Sequence, residues 1–453
     1  MKANFVLKNK TAERLYEEVK DLPIIDYHCH LSAKEIYEDK NFGNITNVFL
    51  AADHYKWRLM RSYGIDEKYI TGDADDFSKF EKYIECVSYA IGSPLYAWTV
   101  LELHTYFDYD GDILPEKARE IYDVANKAIR EKDLKPSTVM KLSKVEAVCT
   151  IEEAFADLKY HELLLGKTAT KILPAFRGDK IINVFDSNFA KYVGILSENT
   201  GVEIKDIESL LLALDKQLER FSKLGCVSAD FAYEGLNYVS STKEEADEAL
   251  KNAMSGKAFE GDKYVSYLST YLLDKCYKLG FGIQLHFGAI RNNNEKMYAR
   301  LGADSGYDSI SDVPYLHGMR GLLNSVDEVG KTVIFNLNPA DNAIIATFCG
   351  NFVSGGVKGK VQPGAAWWFN DHLDGMTEML KVQGNLTHLA TNVGMLTDSR
   401  SFTSYPRHDY FRRILCTFLG RIAEDGEFTD NFDVLKKLAK DISYFNAKEY
   451  FGL

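Results

Sequence analysis

Short apolar, β-prone runs recur along the chain, each ending in polar or small residues and followed by a stretch whose apolar side chains return every three or four positions. Eight runs stand out: IIDYH, KVEAVCT, TKILPAF, GCVSADF, FGIQLHF, KTVIFNL, GKVQPGAAWWF and NVGMLTDS. Strand-then-helix units repeated in this way build a parallel sheet, and eight of them predict an α/β fold of the (β/α)8 TIM-type barrel class. An open, doubly wound sheet is the alternative that the same pattern allows.

The spacing of the runs is uneven. More than a hundred residues separate IIDYH from KVEAVCT and read mainly as helix, including FSKFEKYIECVSYAIG and EKAREIYDVANKAIREKD. They predict a large helical insertion after the first strand, residues 33–142, within a single domain spanning residues 1–453. KDIESLLLALDKQLERFSKLG predicts a helix before the fourth strand, and KEEADEALKNAMSGKAFEGDKYVSYLSTYLLDKCYKLG predicts helices before the fifth. No internal repeat, low-complexity tract or flexible linker interrupts the series.

Composition narrows the function classes. With 46% hydrophobic and 26% charged residues among 453, the chain has ample material for a large core. A formal charge of −12 argues against a nucleic-acid partner, and an anionic ligand would need a locally basic pocket. The N-terminal stretch MKANFVLKNKTAERLYEEVKDLP has no signal-like apolar core, and no apolar run reaches the ~18 residues of a membrane span. A cytoplasmic protein with no membrane partner is expected. The seven cysteines, an odd number without a CxxC pair, read as reduced and mostly buried thiols.

Candidate chemistry begins at IIDYHCH. On a strand, Asp26, His28 and His30 share one face while Cys29 points away, and two imidazoles at this spacing can reach one ion. A carboxylate would complete a set of two histidines and one carboxylate for a divalent metal, leaving positions for water or substrate. Asp398, in GMLTDSR, is the candidate, because the first and last strands of a closed barrel are neighbours. Two hydrogen-bonded core histidines would give the same spacing. His286, at the end of the fifth run, reads either as a further ligand or as an orienting neighbour. Asn336 and Asn338 end the sixth run and Asp230 the fourth, so one ion is favoured over two.

The segments DYHCHLSAKEIYED, ADHYKWRLMRSYGI, DLKYHELL, KILPAFRGDK, LHFGAIRNNN, AWWFND and GMLTDSRSFTSYPRHDYFRRILC span nearly the whole chain. Together they resemble the amidohydrolase superfamily and, within it, the uronate isomerase (glucuronate isomerase) family. Two loops depart from that pattern: Thr-Asp-Asp-Pro after the second strand is here TIEEA, Thr150 to Ala154, and Asp-His after the fourth is Asp230 followed by Phe231.

The resemblance implies interconversion of aldohexuronates and ketohexuronates, such as D-glucuronate with D-fructuronate and D-galacturonate with D-tagaturonate. The proton would move between C2 and C1 through an enediol. It implies one divalent metal ion held by His28, His30 and Asp398, Zn2+ first, with Mn2+, Co2+ or Ni2+ as alternatives. Arg58, Arg177, Arg400 and Arg407 stand in the matched motifs and suit a carboxylate, each with a surface ion pair as the bland alternative.

His54, Tyr55 and Arg58 fall on one helix that can close over the barrel mouth as a lid. Asp398 or Tyr55 would carry the proton, with His54 beside them and His286 and Trp367 against the substrate; core packing is the other reading of Trp367 and Trp368. A metal-dependent hydrolase on the same barrel and a non-catalytic carbohydrate-binding protein are the rival readings. SGGVKGKV lacks P-loop spacing and no GxGxxG occurs, so no cofactor beyond the ion is expected. The expected partner is a small uronate, and a homo-oligomer is compatible with the sequence.

Overall fold

The strands of the computed structural model, which describes residues 5–453, are β1 (Ile24–Cys29), β2 (Val145–Glu153), β3 (Lys171–Arg177), β4 (Ser228–Tyr233) and β5 (Gly282–Phe287), a short antiparallel pair β6 (Ala289–Ile290) and β7 (Ser309–Ile310), then β8 (Thr332–Asn336) and β9 (Val361–Pro363). Seven of them form one parallel sheet in the order β1-β2-β3-β4-β5-β8-β9. That order never reverses, whereas a doubly wound sheet reverses at a switch point, so the doubly wound alternative is excluded. β1, β5 and β8 are buried at every residue, as parallel strands covered on both faces must be.

Helices cover the sheet where the apolar periodicity places them. Ile207–Lys223 starts at a reciprocal Asp206/Ser209 cap and buries Leu210, Leu214, Leu218 and Phe221. Lys243–Met254 and Gly261–Lys278 follow β4. Between β1 and β2 the described chain is helical without a strand, from Ala33–Glu38 through Asp76–Ser88 and Ala118–Glu131 to Pro136–Leu142. Those helices pack a core around Phe49, Phe80, Ile84, Phe107, Ile121 and Ile129 that continues onto β1 and β2 through Ile24, Cys29, Val145 and Val148, distinct from the larger core beneath β3 to β5. No helix among the described residues is long and apolar enough to cross a membrane.

The eighth apolar run corrects the expectation of eight strands. NVGMLTDS forms no ladder strand, because side chains take up its backbone groups: Gln362 Oε1 accepts from Val393 N–H, Asn392 Oδ1 from Gly394 N–H and Asp26 Oδ1 from Thr397 N–H. Gly394 at φ +72° and Asp398 at φ +45° also break the extended backbone. The run still lies along β1, since Asp398 N–H donates to the His28 carbonyl at 3.1 Å and His30 N–H to the Ser399 carbonyl at 3.0 Å. GKVQPGAAWWF is likewise shorter than expected: only three residues pair as β9, and a 3-10 turn follows at Trp368–Asn370.

Gly394 is the pivot of the last run. A Cβ there would lie 2.1 Å from the Ile442 carbonyl oxygen, on a backbone that L side chains rarely adopt. Gly394→Ala is therefore expected to destabilise the protein by roughly 2–3 kcal/mol in urea unfolding, strain and backbone displacement acting together. An unchanged midpoint would show that the segment has room to move.

Candidate active site

The carboxyl ends of the strands deliver the chemistry to one cavity of about 830 Å³, the edge where barrel-type folds build their sites. Arg177 on β3 is the direct register partner of Asp230 on β4, and Asp230 in turn of Gln284 on β5. Alternation then puts His286 on the same face as Gln284, and His28 on the same face as Asp26. His28, His30, His54, Tyr55, Arg177, His286, Trp367, Asp398 and Arg400 all line the cavity.

His28 Nε2 and His30 Nε2 approach the same Asp398 oxygen, Oδ1, at 3.4 and 3.1 Å. The other oxygen, Oδ2, accepts the Trp367 indole N–H at 3.0 Å. His28 is oriented from behind: Gln284 donates its amide N–H to the Tyr27 carbonyl, so its Oε1 faces His28 Nδ1 at 3.0 Å. In a neutral ring that bond places the hydrogen on Nδ1 and leaves the Nε2 lone pair for an ion, whereas the protonated ring donates from Nε2 to Asp398.

Burial pushes His30 down to about 4, against the pull of Asp398, so it is a neutral imidazole near pH 7. Burial acts on His28 in the same sense, but Asp398 and then Asp230 outweigh it and raise that ring. Burial would raise Asp398, yet the hydrogen bonds from His28 and His30 hold it well below the usual carboxylate range. Two imidazoles and an ionised carboxylate, with donor atoms within 4.8 Å of one another, fit a divalent ion. Asp26 stays out of this group: its carboxylate is fully buried and clamps Thr397, accepting both the N–H at 2.8 Å and the hydroxyl at 2.5 Å.

Beside the histidines stands a buried charge cluster. Arg177 Nε and Nη2 reach Asp230 Oδ2 at 2.7 and 2.6 Å, and His286 Nδ1 lies 2.7 Å from Asp230 Oδ1. Asp230 is fully buried, which would raise its pKa, but Arg177 and then His286 drive it far below the ordinary range. His286 is thus paired with Asp230, and His28, Asp230 and His286 also converge closely enough to share an ion, so the geometry is compatible with both sequence readings of this residue. The Asp230-Phe231 departure therefore falls at the centre of the site.

The roof is the helix His54–Ser62, begun by Asp53, whose carboxylate accepts from the Tyr55 and Lys56 N–H groups. Its first turn puts the His54 and Tyr55 rings 4.8 Å apart and His54 edge-on to Trp368 at 5.6 Å. Burial, then Asp398, raises Tyr55 well above the ordinary phenol value, so it is held protonated. Burial and then Arg400 lower His54.

The four arginines part company. Arg177 and Arg400 line the cavity, Arg400 paired with Asp304 at 2.9 Å. Arg58, expected to face the substrate, lies outside that lining, because its Nη1 donates to the Gly306 and Asp308 carbonyls and straps the helix to the β6–β7 excursion. Arg407 is also outside the lining and buried behind Tyr55. The structure adds residues that sequence reasoning did not single out, Lys180 in the lining among them. Gln284 was within reach of the two-residue alternation from His286. Arg291 lines the cavity 5.0 Å from the Trp368 ring centroid. Asp304 comes from a loop with no motif or spacing to mark it.

Residues 1–451 match the family model described as Glucuronate isomerase. A protein of Caldanaerobacter subterraneus subsp. tengcongensis named Uronate isomerase is 46% identical, covering 100% of this chain and 99% of its own. One from Caldicellulosiruptor bescii with the same name is 44% identical over 100% and 99%. The crystal structure of a uronate isomerase from Thermotoga maritima superposes with a TM-score of 0.94 at 31% identity, covering 100% of this chain and 99% of that one.

Proposed function

The chain belongs to the uronate isomerase family, whose reaction is an aldose–ketose isomerisation, and on that premise we propose how its own residues carry the reaction. The substrates are aldohexuronates such as D-glucuronate and D-galacturonate, converted to the corresponding ketohexuronates. The observation that carries the site assignment is Asp398 held between two imidazoles and an indole N–H, in a cavity roofed by the half-buried Tyr55. His28, His30 and Asp398 would hold one divalent ion, Zn2+ first among the metals this donor set accepts. When bound, that ion supplies a Lewis acid that orients an anionic, hydroxylated substrate and withdraws charge from it.

The chain does the rest. Arg177, Lys180, Arg291 and Arg400 are the Lys and Arg side chains of the lining, and an incoming uronate carboxylate would take them over from carboxylate partners such as Glu153 at Lys180 and Asp304 at Arg400. Asp398 is ionised and is the base that takes the proton from C2 and returns it to C1. Tyr55, held protonated, suits the complementary role, donating a hydrogen bond to the carbonyl oxygen as charge develops on it. His54, stacked on Tyr55, fixes that phenol and faces the same cavity. The net reaction moves one proton from C2 to C1 and one from O2 to O1, with nothing gained or lost.

We read residues 1–453 as one barrel-type domain in which residues 33–142 are a helical insertion roofing the site, and the run carrying Asp398 takes the eighth strand's place. The two backbone bonds that tie that run to β1 support this reading. A reducing, cytoplasmic compartment fits the seven free, buried cysteines.

The test is turnover of D-glucuronate and D-galacturonate by metal-replenished protein, with solvent deuterium exchange followed at the transferred position. Ketose without hydrolytic product is expected, with exchange lost in Asp398→Asn and slowed in Tyr55→Phe. Full exchange in both variants would sink the residue assignment, and no turnover of either sugar would sink the function.

Gln284 provides a check that leaves the ligand set intact. Gln284→Leu removes the acceptor behind His28 Nδ1, so metal affinity is expected to fall by about 10–100-fold. Competition with a coloured chelator measures this, and wild-type affinity would mean that His28 needs no orienting partner.

A further inference from the structure

Arg407 lies outside the cavity, yet it touches the surroundings of both groups assigned to the proton. It stands in the first turn of the helix Pro406–Glu424 and is 2% exposed. Its Nη1 donates at 3.0 Å to the carbonyl of Thr397, the residue directly before Asp398. The same guanidinium sits 3.9 Å from the Trp98 ring centroid and 5.4 Å from that of Tyr55.

A buried arginine with a purely structural task is ordinarily satisfied by a carboxylate fork. Here the nearest paired carboxylate, Asp371, is 4.0 Å from Nη1, and Nε has no hydrogen-bond partner. The cation is held mainly between two aromatic faces and one peptide carbonyl, an arrangement that fixes rings and backbone together. Thr397 is gripped from its other side by Asp26, so its peptide is clamped between a carboxylate and a guanidinium just before the left-handed turn at Asp398.

We propose that Arg407 is a positioning residue that couples Tyr55 to Asp398, its planar guanidinium setting the Tyr55 ring while its hydrogen bond sets the peptide that aims the Asp398 carboxylate. The inference rests on the reading that those two side chains handle the substrate. Lysine would keep the charge and lose both the plane and the fork.

The experiment compares Arg407→Lys in the wild-type and Tyr55→Phe backgrounds, with melting temperature and metal content recorded for each. In the wild-type background kcat is expected to fall about tenfold or more, KM staying within about threefold, in a folded and metal-loaded protein. In the Tyr55→Phe background the same substitution is expected to cost less than about threefold, because one of the groups it places is already gone. A structural role would lower both backgrounds alike.

Equal losses in the two backgrounds, or wild-type kcat in Arg407→Lys, would overturn the proposal. Should Arg407→Lys fail to fold, Trp98→Leu removes the face beneath the guanidinium and leaves the hydrogen bond to Thr397; the same Tyr55-dependent loss of kcat is expected, and its absence overturns the proposal. Full wild-type activity in Tyr55→Phe would retire the proton-handling reading and this inference with it. An impaired Tyr55→Phe with additive losses retires the inference alone.

Discussion

Asp398→Asn is expected to lower kcat by about a thousandfold or more without unfolding the protein, because the lost carboxylate is assigned both to the ion and to the proton. The isosteric amide has two orientations. With its NH2 toward Trp367, donor would face the indole N–H across a gap that is now a 3.0 Å hydrogen bond. The favoured rotamer therefore turns the NH2 toward the two imidazole Nε2 atoms that Oδ1 now approaches, placing a donor where an anionic ligand stood. Asparagine tolerates φ +45° as aspartate does, so the backbone has no reason to rearrange. Metal analysis and steady-state kinetics on the purified variant measure both effects. A kcat within tenfold of wild type, with metal retained, would remove Asp398 from the centre of the site.

That residue was legible before the fold was known, and the reason is periodicity. Alternation on one strand put His28 and His30 on a common face, and cyclic closure brought the last apolar run beside the first. The same apolar pattern misled on the run itself: Asp26, Asn392 and Gln362 side chains take up backbone N–H groups that a strand would have paired, and nothing in hydrophobicity distinguishes the two arrangements.

Arginine type was equally uninformative about arginine direction. Arg58 ends on backbone carbonyls, which carry no sequence signature, and Arg407 is turned inward by Trp98, a contact between elements far apart in the chain. Asp304 reaches Arg400 from a loop that Arg58 and Arg61 hold against the roof helix by binding the carbonyls of Ser305, Gly306 and Asp308.

Arg177→Met should be the costliest single change to stability around the site. Asp230 is fully buried, and Arg177 makes two contacts to its Oδ2 at 2.7 and 2.6 Å. Asp179, 3.2 Å from Arg177 Nε, has its carboxyl pushed up by burial, against Arg177, and keeps some solvent contact, whereas Asp230 has none and depends most on the cation. Methionine fills the stem volume and leaves Asp230 ionised without its cation, a situation that costs about 3–5 kcal/mol in buried pairs. The pair itself contributes far less than that, because desolvating both groups opposes their attraction. Arg177→Met with Asp230→Asn is therefore expected to be markedly less destabilised than the sum of the single changes, the shortfall being the coupling. Urea unfolding of the metal-free proteins measures stability apart from the loss of turnover that removing a cavity-lining guanidinium also brings. A single-variant cost below about 1 kcal/mol, or strict additivity in the double variant, would show that water or His286 already compensates Asp230 and that the guanidinium is held for the substrate alone.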